Sequence, residues 1–312
     1  MMFHERTRAR STLRALLIAS GVALGVGGAL LGATAARGEP TMAAPAFASD
    51  HITVEVVGAG PDVVLIHGLA SSRETWRGMV PALAAGHRLH LVQVRGMGGE
   101  AARTDGEVWA PMTGEIARYL RETGLSDVAV IGHSMGGATG LRLAQAHPEL
   151  VGRVMVVDAL PFFSALFGPQ VTASAALPFA ESTRAQMLAA DEAAFAAMQA
   201  GTAETMVANA QARTEVLGWA AASDRRTVAQ AMYEVMTTDL RPGLAAMRTP
   251  VTVVYAWEAG MNLPPEQVDA LYAREYRDLA GVRLERVDGA RHFIMLDQPE
   301  AFAAAVARFL EE

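Results

Sequence analysis

The stretch Val128-Ala129-Val130-Ile131-Gly132-His133-Ser134-Met135-Gly136-Gly137 restricts what this chain can fold into more than any other. Val128 to Ile131 is an apolar run with two valines and an isoleucine, which predicts a buried strand. Ala138 to His147 suits a helix and stops at Pro148. Between them, Gly132-His133-Ser134-Met135-Gly136 fits the pattern G-x-S-x-G. There a serine sits on a sharp strand-to-helix turn, and glycines two places either side let neighbouring chains pass closely. A buried strand before the motif and a helix after it make the match far more specific than the five letters alone. Ser134 is the candidate nucleophile.

Elsewhere the chain alternates between strand and helix patterns. Ile52 to Val56 alternates in polarity and ends in Gly58-Ala59-Gly60, which predicts a strand entering a hairpin. Asp62 to Ile66 reads as a buried strand leading into His67-Gly68-Leu69-Ala70-Ser71-Ser72, with a helix through Trp76 and Leu83. Arg88 to Val94 is the next strand, ending in Arg95-Gly96-Met97-Gly98-Gly99, and a helix over 108–122 leads to the Ser134 strand. Arg153 to Asp158 gives another strand. This order implies right-handed βαβ crossovers and an α/β fold with a mainly parallel sheet flanked by helices. Between Pro161 and Met247 the pattern becomes Ala-rich and helical, so residues 161–247 are expected as an inserted helical cap. Alternation resumes with Val251 to Ala256, a helix from Pro265, strand Val282 to Val287 and a helix from Pro299. The core is thus expected from residues 49–160 and 248–312.

Arg6, Arg8, Arg10 and Arg14 precede an uncharged run from Ala15 to Ala36, and Ala46-Phe47-Ala48 fits an A-x-A cleavage site. Residues 1–48 therefore read as a signal peptide and linker, with export to the periplasm or outside the cell. Ala33-Thr34-Ala35 is an earlier candidate site. No two of these arginines are adjacent, so a twin-arginine signal is not supported. The run is also long enough to stay uncleaved as a membrane anchor over residues 15–36, which is the one route to membrane contact.

Composition excludes several chemistries. The chain has 312 residues and no cysteine, which removes disulfides and a thiolate nucleophile. It also has no lysine, so Schiff-base catalysis is excluded. Formal charge is −7, and −10 without residues 1–48; an acidic body without a basic stripe is a poor nucleic-acid partner. No G-x-G-x-x-G or P-loop stands at a strand-to-helix junction and no histidines have metal-ligand spacing, so neither cofactor nor metal is expected.

A serine hydroxyl needs a histidine to take its proton as it attacks a carbonyl. His292 follows the last predicted strand, where parallel strands deliver their ends to the edge that carries Ser134. His133 and His67 read as packing or loop-shaping neighbours. Three motifs in this order resemble the α/β-hydrolase superfamily over residues 52–310: His67-Gly68 after a strand, Gly132 to Gly136, and Ala290-Arg291-His292-Phe293 followed by Gln298-Pro299-Glu300. Arg95-Gly96-Met97-Gly98-Gly99 resembles the family's R-G-x-G-x-S loop without its serine. The resemblance implies a serine esterase acting through an acyl-enzyme on Ser134, with the backbone N–H groups of Leu69 and Met135 as oxyanion donors. It leaves open an acyltransferase, a lactonase, a haloperoxidase-type enzyme, a peptidase or a non-catalytic ligand-binding relative.

The resemblance places the acid that orients His292 after the strand following the cap. There the chain reads Ala256-Trp257-Glu258-Ala259-Gly260-Met261-Asn262, which makes Glu258 the expected acid. Some relatives place it one strand earlier, and Asp158 matches that alternative. Phe162 and Phe167 open the insertion and either line an acyl pocket or form cap core.

Overall fold

A computed structural model of the chain describes residues 46–311. The signal, the anchor and the Ala33-Thr34-Ala35 site lie outside the described residues. Among the described residues no helix is long and apolar enough to cross a membrane.

Eight strands form one sheet in the order β1-β2-β4-β3-β5-β6-β7-β8. They are β1 (Phe47–Ala48), β2 (Ile52–Gly58), β3 (Asp62–Ile66), β4 (Arg88–Val94), β5 (Val128–His133), β6 (Val151–Val157), β7 (Val251–Trp257) and β8 (Arg283–Asp288). β1 and β2 are antiparallel to their neighbours, and β4, β3, β5, β6, β7 and β8 run parallel. The predicted fold class is therefore the one observed. The helices are α1 (Val80–Leu83), α2 (Trp109–Glu122), α3 (Met135–Ala146), α4 (Ala173–Ala189), α5 (Glu192–Met206), α6 (Ala210–Ala221), α7 (Arg225–Thr237), α8 (Arg241–Leu244), α9 (Pro265–Glu275), α10 (Ile294–Asp297) and α11 (Pro299–Glu311).

The central strands β3, β5, β6 and β7 are nearly continuous apolar runs because both faces of the sheet are covered there. Side chains alternate across it. Val64, Ile66, Val130 and Val154 share a core with Ile116 and Leu120 of α2, Leu141 of α3 and Tyr272 of α9. Val63, Leu65, Ile131 and Met155 share the other with Trp76, Ile294 of α10, and Phe302 and Phe309 of α11.

Helices α4 to α8 all lie between β6 and β7. Polar residues start four of them: Thr172, Asp191, Asn209 and Asp224 each accept a backbone N–H from the first turn of α4, α5, α6 and α7. These caps satisfy donors that a helix start otherwise leaves unpaired.

The described sheet begins earlier than the expected start near Ile52. Phe47 and Ala48 pair with Val54 and Thr53, and the Phe47 ring packs 5.1 Å from Tyr119 with the Arg118 guanidinium 4.7 Å above it. Phe47 and Ala48 of the Ala46-Phe47-Ala48 motif, read above as a cleavage site, thus form an edge strand. The helix expected through Trp76 and Leu83 is instead a 3₁₀ turn over Arg73–Trp76 and the single turn of α1.

Two glycines set how α3 meets the sheet. A Cβ on Gly136 would lie 2.2 Å from the Ile66 carbonyl oxygen, and one on Gly132 would lie 2.1 Å from that of Gly136. Gly136→Ala should destabilise the fold by about 3 kcal/mol or more through overpacking. Gly114, exposed inside α2 with no atom near its missing Cβ, gives the opposite sign. Gly114→Ala should add roughly 0.5–1 kcal/mol. Urea unfolding of both variants checks the pair.

Candidate active site

The strand order reverses around β3 and β5, with β4 on one side and β6 on the other. Such switch points open a crevice at the carboxyl ends of the strands. The loops after β3, β5, β6, β7 and β8 gather there and carry His67, Ser134, Asp158, Glu258 and His292.

Ser134 stands between β5 and α3 with φ 55° and ψ −122°, a positive φ that costs strain in any residue other than glycine. Its N–H donates to Val157 O at 2.8 Å, so β6 holds the turn from the side. Asp158, the next residue along β6, has φ 48° and is held by its own N–H to Val254 O at 2.8 Å. His292, after β8, contacts Asp158 directly: its Nδ1 lies 2.7 Å from Asp158 Oδ2. The other oxygen, Oδ1, accepts from Ala256 N–H and from the Tyr272 hydroxyl, both at 2.9 Å.

This geometry corrects the expected acid. Glu258 does not meet His292; its Oε1 takes the Arg291 Nε–H at 2.7 Å and its Oε2 the Gly260 N–H at 2.9 Å. Those two donors, the Gly260 N–H foremost, hold its carboxyl below the usual range. It caps the short turn Ala259–Met261 and anchors Arg291. Asp158, the alternative, is the carboxylate in contact with the ring.

The chain matches the Alpha/beta hydrolase family over residues 63–305. It belongs to that family. A pimeloyl-[acyl-carrier protein] methyl ester esterase of Edwardsiella ictaluri is 28% identical over 261 residues, covering 81% of this chain and 95% of that protein. The enzyme of the same name from Aeromonas hydrophila is 36% identical over only 115 residues, 36% of this chain and 44% of that one. Among solved structures, an enol-lactonase from Burkholderia xenovorans LB400 superposes with a TM-score of 0.68 at 19% identity, covering 84% of this chain and 96% of that chain.

Two further histidines of this α/β hydrolase sit beside the serine, and both are fully buried. His133 donates Nε2–H to the His292 carbonyl at 3.0 Å, with the two rings 4.5 Å apart. A carbonyl only accepts, so Nδ1 is the unprotonated nitrogen, and it has no partner among the described residues. A Cβ on Gly68 would come within 3.0 Å of both that nitrogen and Ser134 Cβ, which explains a glycine in the loop after β3. His67 Nε2 receives the Val94 N–H at 3.0 Å and faces Gln93 Nε2 at 3.1 Å. An amide N–H must donate, so His67 is protonated on Nδ1 and donates to Gly68 O at 2.7 Å. Gly68 O and the Leu69 N–H belong to one trans peptide and point opposite ways. His67 therefore aims the Leu69 N–H away from itself. Met135 opens α3, where the first N–H groups have no intrahelical acceptor.

The loop carrying His292 is fastened to the helical insertion in three places. Arg291 donates to Glu204 O, Phe293 N–H to Met206 O at 3.2 Å, and Asp297 accepts the Ala208 and Asn209 N–H groups at 3.0 and 2.9 Å. Phe162 is fully buried with the Arg241 guanidinium 4.6 Å from its ring centre, which makes it core. Phe167 is half-buried between Phe163, at 6.2 Å, and Phe179, at 5.0 Å. Sequence reasoning missed Tyr272, Arg291 and Asp297; the recurrence of tyrosine at 272 and 276, one helical turn apart, was the available signal for the first. Among the described residues no group of three His, Asp or Glu side chains is arranged to hold a metal ion.

Burial lowers the His67 pKa to about 4, and burial, followed by the charge of His292, holds His133 well below its ordinary value. The unfolded chain takes up a proton at His67 near pH 6.5, whereas the folded protein resists it down to about 4. Stability from this residue is complete above that window and falls as pH falls inside it, by about 1.4 kcal/mol per pH unit and about 3 kcal/mol in all. Urea midpoints measured from pH 7 to 4 should show this fall, and His67→Gln should remove one proton from its slope.

Proposed function

We propose that this α/β hydrolase cleaves a small carboxylic ester through an acyl-enzyme on Ser134. The observation that carries the reading is the 2.7 Å contact of His292 with Asp158 beside a serine on a strained strand-to-helix turn. Asp158 holds the ring in the Nδ1–H tautomer, which leaves Nε2 with a lone pair to receive the Ser134 proton. The serine oxygen attacks the ester carbonyl while the Leu69 and Met135 N–H groups take the developing oxyanion. His292 then gives the proton to the leaving alcohol, and a water activated through the same nitrogen releases the acid. Neutral His67 and His133 add no positive charge that would hold a proton away from His292.

The ester class is supported by the relatives named as methyl ester esterases, and the cap would form the acyl side of the crevice. Export is the companion proposal, carried by the arginine-flanked apolar run. Cleavage at Ala33-Thr34-Ala35 is favoured over Ala48 because it would leave β1 on the sheet.

A fluorophosphonate probe should label Ser134 alone, and Ser134→Ala should take up none. With a p-nitrophenyl acetate assay, Asp158→Asn should lower kcat by about 10⁴ through the wrong histidine tautomer. Glu258→Gln, which breaks a partly exposed pair with Arg291, should keep kcat within roughly threefold. The reverse ranking would return the acid role to Glu258, and labelling of Ser134→Ala would sink the mechanism.

A further inference from the structure

We propose that Tyr272 is a positioning residue for the base: its hydroxyl commits one Asp158 oxygen and so turns the other towards His292. The inference rests on the reading of Asp158 and His292 as the acid–base pair.

A carboxylate with one partner can rotate about its Cβ–Cγ bond and present either oxygen. Asp158 has Oδ1 fixed by two donors from different elements, Ala256 N–H on β7 and Tyr272 on α9, each at 2.9 Å. Oδ2 is thereby left for His292 at 2.7 Å. The Tyr272 ring cannot swing away, because it stacks on Tyr255 at 4.2 Å and 17° and on Tyr276 at 6.5 Å and 4°. Tyr276, one turn along the same helix face, donates to the carbonyl of Ala159, the residue after the acid, at 2.8 Å. One tyrosine in α9 and one at its C-terminal cap thus grip the acid loop, Tyr272 by the carboxylate and Tyr276 by the backbone. The loop needs holding, since Asp158 has φ 48°, a conformation that persists only where its surroundings determine it. Burial, and after it the Asp158 charge, raise the Tyr272 pKa well above 10, so the hydroxyl remains a donor at any working pH.

The test uses the full chain with ¹⁵N-labelled histidine, His292 being assigned by comparison with His292→Gln. Ring nitrogen shifts report the tautomer directly and need no turnover. The wild type should show His292 as Nδ1–H. Tyr272→Phe keeps the stacked ring and removes only the donor, so it should give a mixture of tautomers. It should also lower kcat by about 10- to 100-fold, the range expected when a carboxylate loses one of its hydrogen-bond donors, with KM within about twofold. Tyr276→Phe should leave the tautomer and kcat near wild type. 3,5-Difluorotyrosine at 272, close in shape but a stronger donor, should move the His292 nitrogen shifts, whereas the same replacement at 276 should not. This arm reads the effect even where Tyr272→Phe fails to fold. Unmoved His292 shifts with Phe or difluorotyrosine at 272, or equal effects at 272 and 276, would overturn the proposal. A tautomer change in a protein that turns over no ester would uphold the positioning role and reject the ester reading.

Discussion

A methyl group added at Gly136 would come within 2.2 Å of the Ile66 carbonyl oxygen, so α3 begins against the end of β3 only because no side chain stands there. From that approach the rest of the site follows. The serine before α3 is forced into a positive-φ turn, and its N–H is carried to Val157 O. The loop after β3 lies against the serine, with room at Gly68 for hydrogen alone. β6 is drawn beside the turn, and its next residue is the carboxylate that meets His292. Tight backbone contact, not side-chain recognition, sets the register between Ser134, the loop after β3 and Asp158.

Three histidines converge on this edge, and the structure gives them different work through burial and partners. His67 and His133 are sealed from water, held neutral, and each donates one N–H to a backbone carbonyl. They are struts. His292 is partly exposed and is the one in contact with a carboxylate. A proton-transfer group needs both access and an orienting charge, and of these three rings His292 is the one that combines partial exposure with a carboxylate contact.

The turn that carries Ser134 was legible because it depends on local sequence. Strand, turn and helix around Ser134 are written in consecutive residues, and the parallel sheet follows from the alternation of apolar runs with helical ones. Residues 161–247 read as helical because they are Ala-rich and lack strand patterns, and helices α4 to α8 lie there. The carboxylate that meets His292 was not legible, since it depends on which of two loops comes within reach of a ring more than thirty residues away. Glu258 sat at the expected station, but its longer chain turns back to cap its own loop and hold Arg291. Asp158 reaches the ring by position: β6 lies next to β5, so the residue after it emerges beside the serine. Tyr272 was invisible for the same reason, being a core residue by its helical spacing whose hydroxyl finds a partner only once α9 packs on the sheet. Phe47 was misread because small residues beside an aromatic serve a protease site and an edge strand equally well.

The fastening of residues 291–297 to residues 204–209 bears on how such enzymes diversify. Insertions between β6 and β7 are easily pictured as cassettes, exchanged to change what a conserved core accepts. Here the cassette is stitched to the loop that carries His292, through Arg291, Phe293 and Asp297. A foreign insertion grafted at 161 and 247 would arrive without the carbonyls and N–H groups those three residues serve, and would leave the His292 loop unsupported. In this chain the module that can be transplanted is discontinuous: helices α4 to α8 together with residues 291–297.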